Sequence, residues 1–301
     1  MLPIQRQTAT LIGFSAIVMW SLLTPLSVYA GSLPAFQLNA ICFAISSIIA
    51  FAGYASKPGF SKSLRQPPKV YALGIFAMFA YHAFLFLGIR NAPPIEASLL
   101  NYQWPVLIVV FSAALPGEKL RYFHILGALM GLLGAAILVT GGTSFSISPE
   151  YTFGYASAIM AALVWSSYSV ITRYFGQIPT QVVAVFCLTT SLLSLVCHLI
   201  WETTVWPQNH SEWVAVFAMG VMPLGLSFFT WDIGMKHGDI QLLGALAYTA
   251  PLLSTALMIA LGFASLTWTV VLACLLIVGG AAVAAQELVG SLLKRGKPSA
   301  S

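Results

Sequence analysis

LIGFSAIVMWSLLTPLSVYA, residues 11–30, runs for twenty residues without a charged side chain. An α-helix rising 1.5 Å per residue needs about that length to cross a bilayer core of about 30 Å. Arg6 ahead of it and the small-residue pattern Val28-Tyr29-Ala30 loosely imitate a signal peptide. The run is longer than a signal h-region and more apolar runs follow, so it reads as an uncleaved first span.

Working outward, nine further apolar runs separated by polar, Gly or Pro clusters predict spans at 35–54, 70–89, 95–115, 123–140, 153–173, 180–200, 212–232, 240–261 and 267–288. The composition agrees: 59% hydrophobic, 7% charged and a mean hydropathy of +0.89, where a soluble domain carries about 25% charged residues. The connections are short and leave no room for a soluble domain. Cys42, Cys187, Cys197 and Cys274 all lie inside apolar runs, which argues for packing rather than a disulfide framework or a zinc site.

The formal charge of +5 finds its explanation in placement. If ten helices alternate across the bilayer, Arg6, Lys57, Lys62, Arg65, Lys69, Lys119, Arg121, Arg173, Lys236, Lys294, Arg295 and Lys297 fall on one side and Arg90 alone on the other. That asymmetry predicts cytoplasmic termini and calls for no nucleic-acid partner.

Laid on itself at an offset of 145 residues, the chain matches Trp20-Ser21 with Trp165-Ser166, Pro34 with Pro179 and Cys42 with Cys187. At 146 it matches Gly88 with Gly234, Arg90 with Lys236, Tyr102 with Tyr248, Pro105 with Pro251 and Gly134 with Gly280. The expected fold is therefore all-α and integral to the membrane: ten transmembrane helices in two five-helix repeats, 1–145 and 146–301. Because five is odd, the second copy enters inverted, a plan whose solute site lies between the halves near the midplane.

Polar and aromatic residues at mid-span mark that site, since lipid offers them no partners. Trp20 on span 1, Tyr81 and His82 on span 3, Asn101, Tyr102 and Trp104 on span 4, Trp165 and Tyr168 on span 6 and Tyr248 on span 9 are the expected solute contacts. Each has a plainer reading as bundle packing. Indole and phenol walls suit flat apolar or cationic solutes through stacking and cation–π attraction, and His82 is the one mid-span group able to change charge near neutral pH. Asp232, with Glu96, Glu118 and Glu287, is placed near a span end, and no Lys or Arg is expected at the centre.

Pro105 and Pro251 are candidate paired hinges, because proline breaks the helix ladder. The small-residue faces around Gly127, Gly131 and Gly134 and at Gly279-Gly280 suit close helix contact, within the bundle or in a homodimer, so monomer and homodimer both stay open. No cofactor, metal or catalytic residue is expected: no HExxH or Gly-x-Ser-x-Gly motif appears, which counts against an intramembrane enzyme. A passive channel is a second alternative.

The duplicated Trp-Ser pair, together with Pro116-Gly117-Glu118-Lys119-Leu120 ahead of a glycine-spaced span 5, resembles the drug/metabolite transporter superfamily in its ten-span EamA-type branch, and most of all its bacterial aromatic amino acid (and paraquat) exporters. The resemblance runs from about Leu11 to Glu287. It implies a bacterial inner-membrane exporter of aromatic amino acids and related amphipathic metabolites, working by alternating access through a central cavity; a broad-specificity drug or metabolite exporter of the same fold is the alternative. The second half departs from the pattern, with Ala264 where the first has Glu118.

Overall fold

The computed structural model describes residues 4–143 and 148–286. Glu287, Lys294, Arg295, Lys297, the junction of the two halves at 145/146 and the last residues of the tenth expected span lie outside the described residues. Within them the chain is helical throughout, in ten long segments: α1 (Arg6–Tyr29), α2 (Ala35–Ala55), α3 (Pro68–Asn91), α4 (Pro94–Ala114), α5 (Tyr122–Thr140), α6 (Pro149–Phe175), α7 (Thr180–Trp201), α8 (His210–His237), α9 (Ile240–Ala260) and α10 (Trp268–Ala284). Among the described residues, α1 to α9 have the length and hydropathy of membrane spans, and α10 is apolar with 17 residues, about 25 Å at 1.5 Å per residue.

The distribution of side chains is that of a membrane protein. Leu133, Leu192, Leu199, Val214 and Leu275 point outward, each more than half exposed, while Asn39, Ser166, Thr190 and Gln241 are buried. Only an apolar surrounding makes that arrangement stable.

The helices pair across the two halves of the chain. α2 packs on α7, α5 on α10, α4 on α9, α3 on α6 and α1 on α8, with further contacts of α2 on α8, α3 on α7, α4 on α6 and α1 on α9. Replacing each helix by the one five places away returns the same set of pairs. Glycine makes the closest approaches. A Cβ on Gly127 would lie 2.4 Å from the Gly280 carbonyl oxygen, and one on Gly13 would lie 2.9 Å from the Gly234 Cα. The glycine faces of α5 and α10 therefore meet each other inside the bundle. α10 runs antiparallel to α5, Ala284 beside Gly127, Ile277 beside Gly134 and Thr269 beside Gly142.

Proline explains the interruptions. Pro105 and Pro251 have no N–H to offer the carbonyl four residues back, and the helix opens at Tyr102–Gln103 in α4 and at Ala247–Tyr248 in α9. α1 loosens at Leu22 ahead of Pro25, and α8 widens to a π-turn over Met222–Leu226 around Pro223. Pro34, which cannot cap α2, is relieved by another helix: Glu202, after the end of α7, accepts hydrogen bonds from the Phe36 and Gln37 N–H groups, both 3.0 Å. Asn209, the first residue of an Asn-His-Ser sequon, has its side chain accepting from the Glu212 N–H as the N-cap of α8.

One expectation needs correction. α8 continues to His237 rather than stopping at 232. Asp232 and Lys236 consequently lie within the helix near its end and are buried, 5% and 6% exposed, a burial that hydropathy did not indicate.

Candidate functional site

Trp20 is the hub of the centre. Its ring centroid lies 5.0 Å from that of Trp231, 6.0 Å from Trp104, 6.1 Å from Trp165 and 6.2 Å from Phe228. The contacts are edge-on or tilted, the geometries that ring quadrupoles favour. Trp165 extends the group to Tyr81 at 5.4 Å and Tyr168 at 5.8 Å. Helices α1, α3, α4, α6 and α8 each supply at least one ring. Tyr81 also meets His82 edge-on at 5.0 Å, and the His82 ring is enclosed by Phe43, Phe86 and Phe228.

The polar groups are sparsely placed. His82 Nδ1 lies 2.7 Å from the Met78 carbonyl oxygen. A carbonyl only accepts, so Nδ1 carries the proton and Nε2 is the free acceptor of the neutral ring. The two Trp-Ser serines behave alike: Ser21 donates to the Val18 carbonyl and Ser166 to the Ala162 carbonyl, both at 2.7 Å, which leaves each hydroxyl oxygen only its acceptor role. The Trp231 indole N–H donates to Ser169 Oγ at 3.1 Å. Asn101, at the α4 break, is buried with its Oδ1 unpartnered.

Tyr248 stands apart from the other expected contacts. It is fully buried in a separate cluster with Val106, Val109, Ala128, Ala135 and Ile277. Its hydroxyl accepts from the Val106 N–H at 3.2 Å and donates to the Tyr102 carbonyl at 3.0 Å, so it stitches the ladder where α4 opens. Trp231 and Phe228 escaped the sequence reading. With α8 taken to end at 232, both fell outside its expected centre, and the π-turn further shifts which residues face inward. The signal was present as the only Trp between Trp213 and Trp268.

Little space remains among these rings. One cavity, lined by Met78, Trp165, Phe228, Trp231, Asp232 and Met235 among others, leaves ≈ 10 Å³ for the centre of a water molecule, about one water's worth. A second of the same size lies beside it, sharing Tyr168, Thr172 and Asp232 and adding Lys236. Asp232, which was not among the expected solute contacts, thus lines both cavities. Asp232 Oδ2 accepts from Lys236 Nζ at 2.7 Å and from Thr180 Oγ1 at 2.6 Å, at the border of the aromatic cluster.

Beyond this pair, one end of the bundle is tied by charge. Glu118, in the α4–α5 loop, accepts from Arg173 at the end of α6 and from Arg6 at the start of α1, the latter at 3.2 Å. Arg6 also pairs with Asp239 at 3.2 Å, and Arg173 donates to the Met235 and Gly238 carbonyls at 2.9 and 2.8 Å. Burial raises the Glu118 carboxyl, but the hydrogen bond from Arg173 and the charges of Arg6 and Arg173 outweigh it, so its pKa lies below the ordinary 4.5. The opposite end is tied by Glu202 on α2, and by the Tyr155 hydroxyl donating to Glu96.

Comparison with known proteins agrees with this architecture. The profile of the EamA-like transporter family matches residues 7–140 and again 152–286. The chain is 51% identical to the aromatic amino acid exporter YddG of Ancylobacter novellus over 93% of its own length and 97% of that protein's. It is 28% identical to the aromatic amino acid exporter YddG of Escherichia coli K12, over 91% and 96%. A solved crystal structure superposes with a TM-score of 0.89 at 49% identity, covering 93% of this chain and 99% of the other. A multi-pass helical membrane protein whose two halves each fit one family profile, the chain belongs to the EamA-like transporter family of the drug/metabolite transporter superfamily.

Proposed function

We propose that this protein exports aromatic amino acids and related amphipathic metabolites across a bacterial inner membrane by alternating access. The observation that carries the reading is the ring cluster around Trp20, built from five helices of both halves. A planar side chain that inserts there exchanges protein rings for its own, keeping the stacking that the site already makes. The names of the two relatives above point to the same solute class.

The proposed frame is ten spans in two inverted five-helix repeats with both termini cytoplasmic. Three features support it: the principal helix pairs, which survive exchange of the halves, the double family match, and α10 running antiparallel beside α5 from Gly127 to Gly142. The skewed Lys and Arg placement supports the orientation. Trp20, Tyr81, His82, Asn101, Trp104, Trp165 and Tyr168 form the solute walls, joined by Phe228 and Trp231. Tyr102 belongs to the same walls, while Tyr248 acts one layer behind, through its hydroxyl's hydrogen bonds at the α4 break. The breaks at Pro105 and Pro251 are the hinges, and the collapsed centre is a state from which the halves must part for solute to enter.

The test is efflux from liposomes loaded with labelled tryptophan, phenylalanine, leucine or lysine, with and without a pH gradient. Saturable flux of the two aromatic amino acids, above that of leucine and lysine, is the expected result. Equal flux of all four indicates a broad-specificity exporter, flux that does not saturate indicates a channel, and no aromatic flux removes the assignment.

A further inference from the structure

We propose that Asp232 and Lys236 form the subsite for the zwitterionic backbone of the solute, Asp232 taking the α-ammonium and Lys236 the α-carboxylate. This rests on reading the centre as an aromatic amino acid site and deepens it by naming the charged groups.

The pair is buried, 5% and 6% exposed, and it is incompletely satisfied. Thr180 and Lys236 both donate to Asp232 Oδ2, while Oδ1 accepts no hydrogen bond among the described residues. Lys236 Nζ has Asp232 and the Ile178 carbonyl, at 2.9 Å, as its partners there, which leaves a third N–H. Asp232 faces the cavity formed by Trp165, Phe228 and Trp231, and both residues face the adjoining one. As a packing element this is a poor choice, because a buried ion pair contributes little or nothing over apolar residues of similar volume. As a template it fits: two opposite charges 2.7 Å apart repeat the layout of an amino acid backbone, and Asp232 borders the same cavity as the rings that would hold the side chain.

The exchange conserves charge pairing. When the pair opens around a zwitterion, each protein charge gains a solute partner and none is left buried alone. An amine without the carboxylate leaves Lys236 unpaired, and an acid without the ammonium leaves Asp232 unpaired. The pair therefore selects zwitterions over cations and anions with the same ring.

Liposome efflux of L-tryptophan, tryptamine and indole-3-propionate by wild type, Asp232→Asn, Lys236→Gln and the double variant tests this. Wild type is expected to favour tryptophan over either analogue by at least about tenfold in kcat/KM. Lys236→Gln shifts the preference toward tryptamine and Asp232→Asn toward indole-3-propionate, opposite changes that a loss of packing would not produce. The double variant removes both charges, leaves none unpaired and so keeps its fold, with a tryptophan KM raised at least about tenfold. Unchanged preference ratios in the folded double variant, or a wild type that carries tryptamine as well as tryptophan, overturn the proposal. A wild type that moves no tryptophan overturns the exporter reading itself.

Discussion

At the scale of single residues, the structure separates side chains that the sequence could only group by depth. Tyr248 and Trp104 lie equally deep in their spans, yet one is a rivet and the other a wall. Replacing Tyr248 by Phe removes the hydroxyl that serves both the Val106 N–H and the Tyr102 carbonyl. The variant should lose about 1–3 kcal/mol, the cost of unsatisfied buried groups, read as a lower melting temperature in detergent. Trp20, the Tyr81-His82 pair and Trp165 were legible, because aromatic and ionisable residues at mid-span have few other reasons to be there. Asp232 and Trp231 were not, since their burial depends on how far α8 extends and on its π-turn, neither of which hydropathy encodes.

At the scale of elements, packing and capping decide. Gly280→Leu drives a branched side chain into the backbone of α5, where even a Cβ lies 2.5 Å from the Gly127 carbonyl oxygen. A loss of about 3 kcal/mol or more is expected, seen as loss of monodisperse protein by fluorescence-detected size exclusion. Gly279→Ala meets only the flexible end of Met130 at 3.3 Å and should be tolerated. The Arg6–Glu118–Arg173 cluster ties α1, the α4–α5 loop and α6 at one end. Glu118 has a depressed pKa in the folded protein, so its contribution is complete above the ordinary value of about 4.5 and is lost as pH falls below it. The melting temperature of wild type should drop across that window by more than that of Glu118→Gln. The motif Pro116–Leu120 was visible in the sequence, but its arginine partners were not, because Arg6 and Arg173 are 112 and 55 residues away.

At the scale of the whole molecule, each half depends on the other for its core. The principal pairings, α1 on α8 and α5 on α10 above all, run between halves, so neither five-helix unit is expected to fold alone. The apolar runs made the all-helical membrane architecture legible, while the interleaving of the halves was not, since periodicity carries no partner information. The central claim is that solute binds where those halves meet, in the rings around Trp20. The most direct measurement is the concentration dependence of tryptophan efflux from liposomes by folded wild type, Trp20→Phe and Trp20→Ala. A wild-type flux that saturates, with KM rising modestly for Phe and at least about tenfold for Ala, as expected for the loss of a stacking partner and its buried area, is the predicted result. An Ala variant that is folded and transports tryptophan with unchanged KM would contradict it.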